Sequence, residues 1–368
     1  MGASVFVTEL GDEIRLDTGY ESQFEAKFVR RDRPSELYGR QYAQPAPPLG
    51  FGAFAYKHYE ACWVFDSFRA RAIPLTFDSQ LDIGSGFAAM PRIVHVRNYA
   101  REVTALDLFP YGVSALSNGR VRAMLAGLAA AGRLGIRNLR GPIGKWEIVA
   151  ARENFALPPL SSRGAFRYEV GDVFEHDGVY DWIHSSLTLT HFDHRKLFPK
   201  IAALLGDGGV FSFTVECWWY PRNSTQIVGR APYICQRLTR DDLLRYFRDI
   251  HPEVELDHIR EVYDYYSDPT YPTASTYIDS AAANGLHPIV VERHMNNRAA
   301  SRRAGIAPPY LEREVGEGAR QALANIRRFR PDVALEDLYT SHYLLAFRKV
   351  ASGRAATTRG DGQGGDGV

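Results

Sequence analysis

Two periods of apolar residues alternate along this chain. Between Thr76 and Val215, short apolar runs that suit strands are separated by stretches spaced every three or four residues that suit helices. Ser79 to Ile83, Glu102 to Leu106, Phe166 to Val170, Tyr180 to Ser185 and Val210 to Val215 are predicted strands. Ala88 to Tyr99 and Phe192 to Leu205 are predicted helices, the second stopping at Gly206-Asp207-Gly208-Gly209. Strands alternating with helices predict a parallel sheet with helices on both faces, an α/β architecture. Upstream, Val5 to Leu10 and Glu13 to Leu16 alternate around Gly11-Asp12, as two short strands across a turn do. Phe51 to Arg71 is rich in aromatics, with Ala55, Tyr59, Cys62 and Trp63 near helical spacing, which predicts a helix packed by one face. Downstream, Thr239 before Asp241-Asp242 is an N-cap signal, Thr276 to Asn284 reads as a helix closed by Gly285, and His287 to Arg293 and Ser341 to Phe347 read as strands.

The segments that break this order set the expected organisation. Residues 1–75 read as an N-terminal extension and lid, and 76–350 as the core. The core carries an insertion over 111–162 and substrate-side additions over 217–285, and 351–368 read as a disordered tail with six glycines and no aromatic. The insertion is basic, with Arg120, Arg122, Arg133, Arg137, Arg140, Lys145 and Arg152. It is either a solvated face or a contact for an anionic partner.

Composition narrows the classes further. The 368 residues are 45% apolar and 24% charged, enough apolar surface for one large core with additions. A net charge of +1 gives no electrostatic reason to expect nucleic acid or an anionic membrane as partner. Cys62, Cys217 and Cys235 are too widely spaced for a zinc or redox pattern, so no metal and a reducing, cytoplasmic setting are expected. No run reaches roughly 18 apolar residues, and no signal-peptide pattern is seen.

The segment with candidate chemistry is Leu81-Asp82-Ile83-Gly84-Ser85-Gly86-Phe87-Ala88. Glycines between a strand and a helix let the backbone approach a ligand, and the helix start presents unpaired N–H groups. Asp107 ends the next predicted strand, where a carboxylate can accept both hydroxyls of a ribose. Gly84, Gly86 and Ala89 also satisfy a dinucleotide fingerprint. Against that, Asp82 would sit poorly beside a pyrophosphate but well beside an amino group.

With Asp172 after a later strand and Leu204-Leu205-Gly206-Asp207-Gly208-Gly209-Val210 closing the order, the chain resembles the class I S-adenosylmethionine (SAM)-dependent methyltransferases. The matching pieces are LDIGSG (81–86), VTALDL (103–108), GDVF (171–174), YDWIHSSLTLTHF (180–192) and LLGDGGVFSFTV (204–215), with HPIVVERH (287–294) and YTSHYLLAFRKV (339–350) as the last two strands. The resemblance implies a Rossmann-like seven-stranded, mostly parallel sheet with an antiparallel last strand, and SAM as cofactor. It implies that Asp82, Gly84, Ser85 and Gly86 line the methionine end of SAM. Asp107, with Leu108 beside it, would hold the ribose, and Asp172 and Val173 would flank the adenine. Ser185 and Ser186 would face the sulfonium and the acceptor.

Nothing in the motif set names the acceptor. The expectation is a small molecule, with a hydroxyl of a sugar or natural product ahead of nitrogen, and pairing with a second copy of the chain is left open. A hydroxyl acceptor calls for a base near neutral pH. His184, His191 and His194 cluster after the fourth core strand, and His191 is the first choice, ahead of His184. Trp218, Trp219, Tyr220, Tyr263, Tyr265, Tyr266 and Tyr271 either wall an acceptor pocket or pack the C-terminal half. His58 and Tyr59 are candidate lid residues. An NAD(P)-dependent oxidoreductase and a catalytically idle SAM-binding protein stay as alternatives.

Overall fold

The computed structural model describes residues 5–16, 51–86, 88–108, 164–217, 219, 233–252, 255–257, 259–260, 263, 272–295 and 314–350. The basic insertion, the C-terminal tail and most of the first 50 residues therefore lie outside the described residues.

The N-terminal strands β1 (Val5–Val7) and β2 (Glu13–Arg15) form an antiparallel hairpin with Phe6 opposite Ile14. Helix α1 (Phe51–Ala70) follows. The main sheet opens with β3 (Phe77–Ile83), α2 (Ala89–Val96), β4 (Ala100–Asp107), β5 (Ala165–Val170) and β6 (Tyr180–Ser186). It continues with α3 (His194–Leu204), β7 (Leu205–Glu216), α4 (Arg240–Ile250), α5 (Ala274–Ala282), β8 (Leu286–Met295), α6 (Glu314–Ile326) and β9 (Thr340–Lys349). The strand order is β5-β4-β3-β6-β7-β9-β8. Strands β5 to β7 pair parallel, while β9 runs antiparallel to both its neighbours. This is the seven-stranded Rossmann-like sheet with an antiparallel last strand that the resemblance implied. From β3 the chain runs outward to β4 and β5, then returns to β6 on the other side of β3. That reversal opens a crevice at the carboxyl ends of β3 and β6, where such sheets bind ligands.

Alternation along each strand divides the core in two. Trp182, Val210, Leu344 and Ala346 face α1 and α2, packing with Ala61, Val64, Phe65, Phe68, Met90 and Ile93. Ile183, Phe211, Phe213, Leu345 and Phe347 face the other way, against Leu197, Phe198, Ile201, Tyr277, Ala322 and Ile326 of α3, α5 and α6. The hairpin lies over α4, with Phe6 edge-on to Tyr246 at 5.4 Å and the Glu9 N–H on Asp242 at 2.9 Å. Pro288, which cannot donate to a ladder, sits in the edge strand β8.

Three expectations change. Among the described side chains of α1, Ala61, Val64, Phe65 and Phe68 are buried, whereas Cys62 and Trp63 are half-buried, so the packed face lies away from the one marked by Cys62 and Trp63. Strand β7 starts at Leu205, directly from α3, and Gly206 to Gly209 loop out of register, since Tyr180 pairs with Leu205 but Trp182 with Val210. Helix α6 was not anticipated, although Ala319, Ala322, Leu323 and Ile326 have the helical spacing. The N-cap at Thr239 is as expected, its side chain accepting from the Asp242 N–H. Helix α5 starts two residues earlier than expected, capped by Thr273.

Phe213 is fully buried, with ring centres of Tyr277 at 5.1 Å, Phe211 at 5.2 Å and Phe347 at 6.0 Å. Phe213→Ala is expected to lower the unfolding free energy in denaturant titration by about 3–5 kcal/mol. A loss below about 1 kcal/mol would mean that this layer is not a packed core.

Candidate active site

Strand β3 ends at Ile83, and the chain turns through Gly84, Ser85 and Gly86 in the crevice. Gly84 and Gly86 have φ of +65° and +53°, where a side chain is strained. A Cβ on Gly84 would also collide with the Thr188 side chain, whereas none of the described residues comes within 4 Å of where a Cβ on Gly86 would stand. The turn is held from several sides. The N–H groups of Gly84 and Ser85 donate to the Leu106 carbonyl at 2.9 and 3.1 Å. The Thr188 hydroxyl donates to Gly84 O at 3.0 Å, and the Tyr168 hydroxyl to Gly86 O at 3.0 Å. The Gly86 N–H donates to Asp107 Oδ2 at 2.7 Å, so the carboxylate of β4 points at the glycines.

Asp82 brings a second carboxylate to the same turn. It is 1% exposed, on the sheet face that α1 covers, and neither of its oxygens has a hydrogen-bond partner. Burial pushes its pKa well above the usual carboxylate value; Lys57 opposes this, and Glu60 and Asp107 add to it. The Ser85 hydroxyl also has no partner. Lys57 and Glu60 belong to α1 and were missed in the sequence, where they read as ordinary polar positions of an aromatic-rich helix. Their three-residue spacing puts them on one face. Glu60 accepts from Ser186 Oγ at 2.6 Å, from Thr214 Oγ1, and from Lys57 Nζ at 3.0 Å, and Lys57 also reaches Ser186 Oγ.

The remaining expected residues divide. Ser185 is fully buried and donates to Ile83 O at 3.0 Å, tying β6 to β3 on the face away from α1; Ser186, the next residue, meets α1 instead. His184 is also fully buried, with Nδ1 2.9 Å from Ser212 Oγ. Burial, then Lys57, lowers its pKa to about 3, so it is a neutral core group and not a solvent-facing base. His194 is buried on the opposite face, edge-on to Tyr277. His191, in a single turn at Leu189–His191, is solvent-exposed. Crowding by the surrounding chain still lowers its pKa, with Glu216 opposing, which keeps the ring neutral at neutral pH.

Asp172 closes a local turn through its Oδ1, which accepts from the Phe174 N–H at 3.0 Å, and Val173 is buried beneath it. Leu108 and Phe174 are exposed apolar residues beside Asp107 and Asp172, a setting that suits a flat ring. Trp219 is buried in the core under the Arg330 guanidinium, so it packs and does not wall a pocket. Tyr263 packs against the hairpin's cluster. The side chains of His58 and Tyr59, together with Trp218, Tyr220, Tyr265, Tyr266 and Tyr271, lie outside the described residues.

A glycine turn at the switch point, held to the carboxylate of the next strand, is the position at which open α/β sheets hold ligands. No protein-family model and no curated protein matches the chain. Among solved structures it is similar to an S-adenosylmethionine-dependent methyltransferase from Mesorhizobium loti, at 17% identity over 77% of this chain and 97% of that one, TM-score 0.40. It is similar to geranyl diphosphate C-methyltransferase from Streptomyces coelicolor, at 15% identity over 79% of each chain, TM-score 0.40. It is also similar to the cyclopropane synthase MmaA2 from Mycobacterium tuberculosis, at 12% identity over 78% of this chain and 84% of that one, TM-score 0.40.

The Asp82 carboxyl carries a stability prediction. Its pKa in the folded chain lies above the reference value of 3.8, so its contribution to stability is lost as pH rises through the folded value. Asp82→Asn is therefore expected to melt higher than wild type at pH 7–8, with the gap closing toward pH 4. Melting curves of the two proteins across that range check this. A variant less stable than wild type by the same margin at every pH would contradict it.

Proposed function

We propose that the chain binds SAM in this crevice and transfers its methyl group to a small-molecule acceptor, with a hydroxyl of a sugar or natural product favoured. The observation that supports this most is the meeting of two carboxylates, Asp82 and Asp107, at one glycine turn. A dinucleotide's pyrophosphate would be repelled there, and its usual contact, a backbone N–H of the turn, already serves Asp107. A cofactor with a cationic amino-acid end and a ribose suits the same groups: Asp82 for the ammonium, Ser85 and the turn for the rest of that end, Asp107 for the ribose hydroxyls. Leu108, Phe174 and the second oxygen of Asp172 fit around the adenine.

When bound, SAM supplies a methyl group on positively charged sulfur, open to in-line attack. The chain's part is then to place the acceptor and take its proton. His191 has the properties of that base: it is exposed at the carboxyl end of β6, neutral at physiological pH, and near the negative charge of Glu216 that steadies it once protonated. His184, sealed in the sheet, is dropped from that role. Among the described residues no helix is long and apolar enough to cross a membrane.

SAM or S-adenosylhomocysteine is expected to raise the melting temperature, by a few degrees at saturating ligand, while NADH leaves it unchanged. Asp107→Ala should abolish that shift. A shift with NADH alone would replace this reading with the oxidoreductase. With labelled SAM and a panel of hydroxyl acceptors, His191→Ala is expected to lower turnover about 10²–10⁴-fold while keeping the ligand shift. Unchanged turnover would remove His191 as the base.

A further inference from the structure

Asp82 does not stand alone in the sheet. His184 is its direct register partner across β3 and β6, and Gln80 lies two residues before it on the same face. Gln80 and His184 are fully buried, and Asp82 is 1% exposed. Among the described residues, both Asp82 oxygens, both Gln80 amide atoms and His184 Nε2 find no hydrogen-bond partner. Such groups are rare in a packed core, and several around one carboxyl are expected where that carboxyl changes its proton or its partner in use.

The neighbours of His184 fix which ring nitrogen carries its proton. Trp182 Nε1, a donor only, gives to Ser212 Oγ at 2.8 Å, and His184 Nδ1 lies 2.9 Å from the same oxygen. The one hydrogen of that hydroxyl therefore goes to Nδ1, and the imidazole proton sits on Nε2. Burial, then Lys57, lowers the His184 pKa to about 3, so the ring is neutral near pH 7. Ser212 is on the β7 side of His184 and Asp82 on the β3 side. The two nitrogens of an imidazole face away from each other, so Nε2–H leaves the Ser212 side and heads toward α1 and β3, where the Asp82 carboxyl stands. Nε2 and the carboxyl make no direct bond. A water between them, with the Gln80 amide as third partner, has the roughly two to four bonds that a buried water needs.

The charged groups acting on Asp82 are Lys57 and Glu60 of α1 and Asp107 of β4, while Met90 and Ile93 of α2 are apolar. Glu60 and Asp107 oppose the ionised carboxyl, and Lys57 favours it. A neutral donor from β6 adds to the favouring side without bringing a second cation to compete with the ligand's own.

We propose that His184 is a positioning residue for Asp82, its Nε2–H donating through one buried water to the carboxylate that forms when the cofactor's ammonium arrives. This rests on the cofactor reading above. The balance is one proton: the Asp82 carboxyl gives it up to solvent as the ligand binds, and His184 keeps its own.

The test is calorimetric titration with S-adenosylhomocysteine from about pH 5 to 8, in paired buffers of different ionisation enthalpy that count the protons released. In wild type, binding should release a proton and affinity should climb with pH, by up to about tenfold per unit, until Asp82 is ionised in the free chain and both effects level off. His184→Leu removes the donor and should move the levelling-off up by about one pH unit or more. His184→Gln, whose amide nitrogen reaches the place of Nε2, should restore the wild-type profile. Ser212→Ala frees the ring to move its proton to Nδ1 and should shift the profile the same way as His184→Leu, which serves if that variant does not fold. A levelling-off pH unchanged in both variants, an affinity loss equal at every pH, or binding by wild type without proton release at any pH would overturn the role of His184 and leave the cofactor assignment standing. Failure of the wild-type protein to bind S-adenosylhomocysteine at all would remove both.

Discussion

Two carboxyl groups brought to one turn of backbone constrain this site. Asp107 is tied to the turn by a 2.7 Å bond from the Gly86 N–H, and Asp82 stands on the strand that leads into it. The sheet order makes this possible: β4 and β6 flank β3, so their carboxyl ends deliver Asp107 and Thr188 to the same glycines. Gly84 has to be glycine twice over, for its backbone angle and because Thr188 fills the space of a side chain. Such a turn disfavours anions and favours a ligand that brings its own positive charge.

The polar groups around this turn gather on one face of the sheet. Neighbouring strands place Asp82, His184 and Ser212 in one row toward α1, Ser186, Thr214 and Glu292 in the next, and Glu216, His342 and His294 in a third. The opposite face of the same strands is filled by Ile183, Phe211, Phe213 and Phe347. Both faces thus carry packed apolar residues, while the α1 face also keeps Asp82, His184 and Glu60 buried at a cost. That division is expected where activity needs groups a stable core would exclude.

The sequence made the core legible because its signals are local. Strand periods, the glycine turn, Asp107 at the end of the next strand and the cap at Thr239 each sit within a few residues of one another, and the structure places them as read. What was not legible depends on contacts across the fold. Lys57 and Glu60 become site residues only because α1 crosses the ends of β6 and β7, more than 120 positions later. The three histidines in and after β6 look equivalent in the chain, yet strand alternation and a helix turn send His184 under α1, His194 toward Tyr277 and His191 into solvent. Trp219 reads as a pocket wall until Arg330, far along the chain, stacks over it.

The most direct test of the central claim is a crystal structure with S-adenosylhomocysteine. The account predicts the ligand's amino group against Asp82, its homocysteine along Gly84 to Gly86, and its ribose hydroxyls on Asp107. A ligand lodged elsewhere, with Asp82 still sealed and unpartnered, would contradict it.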